Sequence, residues 1–264
     1  MTKTPYRVGV VGALGKMGDR VRSALAEEPS LRFAAAIEAP GHPGIGTKLE
    51  GGVAAGDDLA SFLRESDVVI DFSVPSSTLA MVREAAARGV ACVVGTTGFS
   101  DTERRELRAA SERIALVVAA NFSVAVTVLV HLAGEAARLL GPGFDAEIVE
   151  LHHAAKRDAP SGTAFRLAEA IAEARGTTLA ECGVYAREGE TGARRPGSIG
   201  VQALRGGDNP GEHQVLFLGA GERLELGHRA ATRDHFARGA VRAAAWLVGR
   251  PAGLYEMREV LGLP

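Results

Sequence analysis

The sequence predicts an α/β chain in which a doubly wound parallel sheet is joined to a second domain of α+β character. Short, continuous apolar runs recur through the first half, at residues 67–72, 91–95 and 114–119, as expected of strands buried on both faces of a parallel sheet. Segments with helical spacing of apolar residues separate them, which is the alternation of a doubly wound sheet. Beyond residue 123 that alternation stops, and helices and strands no longer take turns.

In order along the chain, residues 8–11 are a β-branched run leading into a glycine-rich turn and a helix over about 17–28, closed by Pro29. Residues 31–38 read as the second strand. Helices are expected at 76–88 and 101–113, with Pro75 and Ser100 as start signals. Further on, a helix over 124–140 ends in Gly141-Pro142-Gly143, followed by a strand at 146–152 and a helix at 162–174. A loop rich in Gly, Arg and Glu precedes strand-like runs at 199–204, 213–218 and 223–226. Gly219-Ala220-Gly221 joins the last two as a hairpin. The tail, 236–247 and 254–261, reads as helical and is expected to return to the first sheet. The expected division is therefore 1–123 with 234–264, and 124–233.

Composition narrows the function. With 264 residues, 46% of them hydrophobic, the chain can fill one large core or two modest ones. A net charge of -2 with 23% charged residues gives no reason to expect nucleic acid or a membrane as partner. Cys92 and Cys182 lie far apart and outside ligand-like spacing. That argues against a disulfide framework or a metal site and fits a reducing, cytoplasmic setting. The apolar stretch in the opening MTKTPYRVGVVG is too short for a secretion signal, and no stretch is expected to approach membrane-spanning length.

Two constellations carry chemistry. Gly12-Ala13-Leu14-Gly15-Lys16-Met17-Gly18 lies between the first strand and the first helix. Glycines there allow a tight turn and close backbone approach, and the helix start offers N–H groups to a pyrophosphate. Glu38 ends the second strand roughly 20 residues later, where an acid accepts hydrogen bonds from an adenosine ribose. The loops Gly95-Thr96-Thr97-Gly98 and Ala119-Ala120-Asn121-Phe122 follow two further strands at the carboxyl edge of the sheet, where ligands bind. The segment Glu150-Leu-His152-His153-Ala-Ala-Lys156-Arg-Asp158-Ala-Pro-Ser161-Gly162-Thr163 combines a helix start suited to a carboxylate with a compact positive charge and proton-exchanging histidines. More ordinary readings compete: a plain helix cap at Ser161, and a Lys156–Asp158 surface pair. Neighbouring residues on a strand point to opposite faces, so both histidines serve one site only if the strand ends or bulges there.

With VIDFSVP (69–75), YAREGETG (185–192), RGGDNPGEH (205–213), ERLELGHRA and GAVRAAAWL, these motifs resemble the dihydrodipicolinate reductase family of lysine and diaminopimelate biosynthesis over nearly the whole chain. The resemblance implies a Rossmann-type dinucleotide-binding domain closed by the C-terminal helices, and an α+β domain for substrate and tetramer contacts. It implies nicotinamide cofactor contacts at Gly12, Ala13, Leu14, Gly15, Lys16, Met17, Glu38, Gly95, Thr96, Thr97, Ala119, Ala120, Asn121 and Phe122. By the same resemblance His152 is the proton donor/acceptor and Lys156 the proton donor, while His153, Gly162 and Thr163 bind a small dicarboxylate, with Ser161 beside them. No metal is implied. Ala39 stands where many members carry a basic residue, and Ala155 where a polar one is frequent. NADH and NADPH are both expected to serve, NADH at least as well. A same-fold reductase of another dicarboxylate and a non-catalytic nicotinamide-binding regulator are the alternatives. The intact histidine–lysine set argues against the regulator. The run 213–218 lacks alternation and is expected to be covered on both faces. One small domain offers limited cover, and the resemblance implies a homotetramer whose sheets meet.

Overall fold

The computed structural model describes residues 4–264, so the first three residues of the opening segment lie outside it. The first elements are β1 (Tyr6–Val11), α1 (Lys16–Leu25), β2 (Leu31–Ile37), β3 (Ala55–Gly56), α2 (Leu59–Arg64) and β4 (Val68–Asp71). Next come α3 (Pro75–Arg88), β5 (Ala91–Val94), α4 (Asp101–Ser111), β6 (Ala115–Val118), α5 (Val124–Leu140), β7 (Asp145–His152) and α6 (Gly162–Ala174). The chain finishes with α7 (Leu179–Cys182), β8 (Gly183–Val184), β9 (Ile199–Arg205), β10 (Glu212–Leu218), β11 (Arg223–Arg229), α8 (Asp234–Leu247), β12 (Gly253–Tyr255) and α9 (Met257–Val260). Contacts group these into two compact units, one running to Ser123 and resuming at Asp234–Pro264, the other Val124–Arg233.

In the first unit seven strands lie in the order β12-β6-β5-β4-β1-β2-β3, every pair parallel. The continuous apolar runs have the cause expected of them. Val68, Ile70, Val93 and Val117 enter one core with α1 and α8. Their neighbours Val69, Cys92, Val94 and Leu116 enter a second core with Phe62, Leu79, Val82 and Leu107. Successive side chains point to opposite faces, and both faces are covered.

The second unit holds a mixed sheet, β11-β10-β7-β9-β8, with α5 and α6 packed on one face. Ala146, Ile148, Ile199, Val201, Val215 and Phe217 meet Leu129, Ala133, Leu167 and Ile171 there. Within the single chain, residues 213–218 are filled on one face, and cover of the other face was expected from association. Along β10 the burial alternates, with His213, Val215 and Phe217 inside and Leu218 36% exposed. Leu204 on β9 is 52% exposed. The other face is only partly covered, by Arg187 and Arg194 reaching over it to Glu147.

Two other expectations change. Residues 254–261 are not one helix: Gly253–Tyr255 pairs parallel with β6 as an edge strand before α9 begins. The segment Val124–Gly143 does have the length and hydropathy to cross a membrane, 20 residues at a mean of 1.5. Of that stretch 22% is buried: Leu129, Ala133 and Ala137 pack against α6, and a Glu135–Arg138 ion pair lies on the outer side.

Candidate active site

The first unit supplies a glycine cradle. β1 ends at Val11, and Gly12 turns with φ +65°, donating its N–H to Ile37 O at 2.8 Å. Gly15 is the N-cap of α1 and has no side chain to offer, so no described side chain caps the first turn. Those N–H groups stay open to an anion. Gly18 is where the helix passes closest to the turn: a Cβ there would lie 2.2 Å from Gly12 O and 2.6 Å from Ala13 Cα. Glu38, one residue past β2, accepts the Leu14 N–H at 2.7 Å. It anchors the cradle through Oε1 and stands beside the place where a ribose would follow a pyrophosphate. This donor set, a cradle that a Cβ would fill together with an adjoining acid, fits a dinucleotide.

The remaining cofactor positions divide by exposure. Lys16 and Thr97 are exposed and Met17 half-buried. Ala13, Thr96 and Phe122 are buried in the unit, so their side chains are committed elsewhere. Thr96 Oγ1 accepts from Thr78 at 2.8 Å, and Phe122 meets Phe72 edge-on at 5.7 Å. Such residues can present only backbone atoms. Asn121 Oδ1 accepts the Ser123 N–H at 2.8 Å, closing the turn after β6. Gly95 and Ala119 continue β5 and β6 by bonds to Asp71 O and Val94 O.

The second unit carries the residues expected to handle the proton. β7 ends at His152, and His153 leaves the ladder, its N–H donating to Asn209 O at 2.9 Å. The strand end that would free both histidines is therefore present. Their rings have different neighbours. His153 Nε2 lies 3.4 Å from Arg233 Nη2, whereas His152 Nδ1 lies 2.5 Å from Glu150 Oε2. Lys156 Nζ sits 2.8 Å from both oxygens of Asp158, so the surface pair weighed from the sequence does form.

Ser161 was expected to present its hydroxyl to a carboxylate. Instead its Oγ is buried, accepts the Ala164 N–H at 3.2 Å as the α6 cap, and lies 2.9 Å from His213 Nε2. Gly162 is exposed and Thr163 half-buried at the start of α6. They, and not Ser161, form the open part of the turn.

Glu150 organises this cluster although it is fully buried. Arg205 grips it with both Nη atoms at 2.8 Å, and the Ser161 N–H donates to Oε1 at 3.0 Å. Burial alone would raise its pKa, but Arg205, His152 and the Ser161 N–H together hold it below the usual carboxylate value. Burial also lowers the pKa of His152, with Lys156 and Arg205 adding to the effect against the pull of Glu150. His213, 5.2 Å from the His152 ring, is pushed down to about 3 by burial and by its histidine neighbours.

Residues 6–122 match the amino-terminal part of the dihydrodipicolinate reductase family, and residues 125–261 its carboxy-terminal part. The chain belongs to this family. A relative from Desulfotalea psychrophila, named 4-hydroxy-tetrahydrodipicolinate reductase, is 50% identical, covering 97% of this chain and 98% of its own. One of the same name from Anaeromyxobacter dehalogenans is 48% identical over the same shares. Among solved structures, a dipicolinate-bound dihydrodipicolinate reductase from Paenisporosarcina sp. TG-14 superposes with a TM-score of 0.79 at 27% identity, covering 97% of this chain and 99% of that one. GenD2 from gentamicin A biosynthesis, solved with NAD, shares the fold at 15% identity and a TM-score of 0.63.

Glu150, Arg205 and His213 lay within quoted motifs, but the sequence assigned none of them a role. A signal was available. Period-two alternation places Glu150 and His152 on the same face of β7 as Ile148, and an acid on a core face needs a cation. Arg205 pairs opposite His152 in the parallel register of β7 and β9, which no sequence pattern reveals.

Proposed function

We propose that this protein reduces 4-hydroxy-tetrahydrodipicolinate to tetrahydrodipicolinate, with release of water, in the route to diaminopimelate and lysine. The observation that carries this reading is its near-full-length identity to relatives of that name, with both proton-handling groups, His152 and Lys156, in place. A reduced nicotinamide supplies the hydride when bound. Gly12, Gly15, Lys16 and Met17 hold the pyrophosphate on the first turn of α1, and Glu38 accepts from the ribose. The backbone of Gly95–Thr97 and Ala119–Phe122 lines the nicotinamide side.

His153, Gly162 and Thr163 hold the substrate carboxylates, with Lys156 beside them as a cation. As negative charge develops on the ring nitrogen, Lys156 stabilises it and delivers the proton, and His152 accepts a proton in the exchange through its bare Nε2. The turn at the start of α6 fixes the orientation of the substrate ring. Cytoplasmic residence agrees with two cysteines that are free and buried. A homotetramer agrees with a sheet face that this chain leaves partly bare.

The deciding experiment supplies the product of pyruvate and aspartate semialdehyde condensation, freshly made, and follows cofactor oxidation. Stoichiometric oxidation is expected. Tight cofactor binding without oxidation would favour the non-catalytic regulator. Oxidation with another dicarboxylate only would move the substrate and keep the chemistry.

A further inference from the structure

Glu150 is the most deeply placed charge in the second unit, and a buried carboxylate needs every lone pair answered. Arg205 answers its charge with a two-pronged grip, and its guanidinium also donates to Asp158 O at 2.7 Å. The two remaining bonds go to groups of different function: Oε1 receives the Ser161 N–H at the mouth of α6, and Oε2 receives His152 Nδ1. A carboxylate held ionised by Arg205 can only accept. The ring nitrogen facing it must therefore carry the proton, which leaves Nε2 bare in the neutral imidazole. The other end of the ring agrees. Nε2 lies alongside Gly211, where a Cβ would sit 2.9 Å from it, so a residue without a side chain keeps that nitrogen uncovered.

We infer that Glu150 is a positioning residue for the reaction proposed above, its buried carboxylate holding His152 in the Nδ1–H tautomer with Nε2 free while pinning Ser161 at the head of the substrate turn. One side chain thereby sets both the group that handles the proton and the turn that holds the anion. This rests on the proposed function for the identity of the reaction, but not for the tautomer. The groups facing His152 are Glu150 on its own strand, Arg205 at the end of β9, Lys156 in the loop after β7 and His213 on β10. Of these only Glu150 favours the protonated ring. Removing its charge while Arg205 and Lys156 remain must lower the His152 pKa.

The test is nitrogen-15 NMR of histidine-labelled protein, read alongside steady-state kinetics. In the wild type at neutral pH, His152 should show a protonated Nδ1 and an unprotonated Nε2. The reverse tautomer overturns the inference, and no variant is needed to see it. In Glu150→Gln, the His152 titration and the limb of the kcat/KM profile that follows it should both move to lower pH. Turnover should fall by about 10²-fold, the usual penalty for a mispositioned group, with NADH affinity unchanged. A folded Glu150→Gln protein whose His152 titrates as in the wild type makes Glu150 merely structural. If the wild type does not turn over the proposed substrate, the function is wrong, and the NMR titration still decides the role of Glu150.

Discussion

Lys156 meets both oxygens of Asp158 at 2.8 Å, and Asp158 is 63% exposed at its side chain. Lys156 is less exposed, at 19%, but with one partner this open to water the pair adds little to stability. A substrate carboxylate can therefore take the place of Asp158 at little cost, and the pair is compatible with a working lysine. Replacing Lys156 or His152 by alanine should lower turnover by about 10²–10⁴, the range for a positioned acid or base, and leave NADH binding intact in a fluorescence titration. Weaker NADH binding with near-normal turnover would assign these residues to the cofactor instead. Cofactor choice turns on Glu38 and Ala39. A carboxylate at Glu38 would accept from the ribose hydroxyls and repel a 2′-phosphate, and Ala39 is exposed without a charge to offset it. Exposed Lys16 offers a point charge only, where an arginine would offer a planar fork. NADH is expected to work at least as well as NADPH, and Ala39→Arg should raise efficiency with NADPH. A wild type already favouring NADPH by tenfold, about 1.4 kcal/mol, would contradict this reading of Ala39.

At the level of elements, α1 and its turn are the most constrained. The atoms that a Gly18 Cβ would meet are backbone, at 2.2 and 2.6 Å, whereas a Gly15 Cβ would meet only Gly12 O at 3.2 Å. Gly18→Ala should cost about 1–3 kcal/mol, as overpacking does, and weaken NADH binding by shifting the turn. Gly15→Ala should be the milder change. Equal urea midpoints for the two variants would show that the helix yields more easily than its packing indicates. This turn was legible in the sequence because glycine spacing between a strand and a helix has few other uses. The six-residue β1 and the helices α3 to α6 were legible because their apolar periodicity is long enough to be unambiguous. Elements of two or three residues were not: β3, β8 and β12 exist only through their partners in the sheet. The tail 254–261 was misread because a short apolar run suits either state until the β6 edge selects the strand. In the site, His152, Lys156 and the α6 start stood out as a motif. Arg205 and His213 stood at the ends of another motif, and only the sheet register brings them to His152.

For the molecule as a whole, the second sheet is where association is expected. Leu216 and Leu218 share a face with Val149 by the β7–β10 register, and Leu204 shares it with Leu151 by the β7–β9 register. Neither helix of that unit covers them. Apolar side chains in this number on one flat sheet are typical of surfaces buried on association. Light scattering at working concentration should give the mass of an oligomer, with a tetramer expected, and a monomeric mass would contradict it. The order of strands has another consequence. β6 acquires its outer neighbour β12, and α1 acquires α8, only from the segment after Asp234. A ribosome thus begins the first unit, makes the second entirely, and only then delivers the pieces that finish the first. Through that interval the β6 edge carries unpaired N–H and C=O groups, the kind of edge that templates pairing with a neighbouring chain. The nascent protein is most open to such mispairing while its second half is still being made.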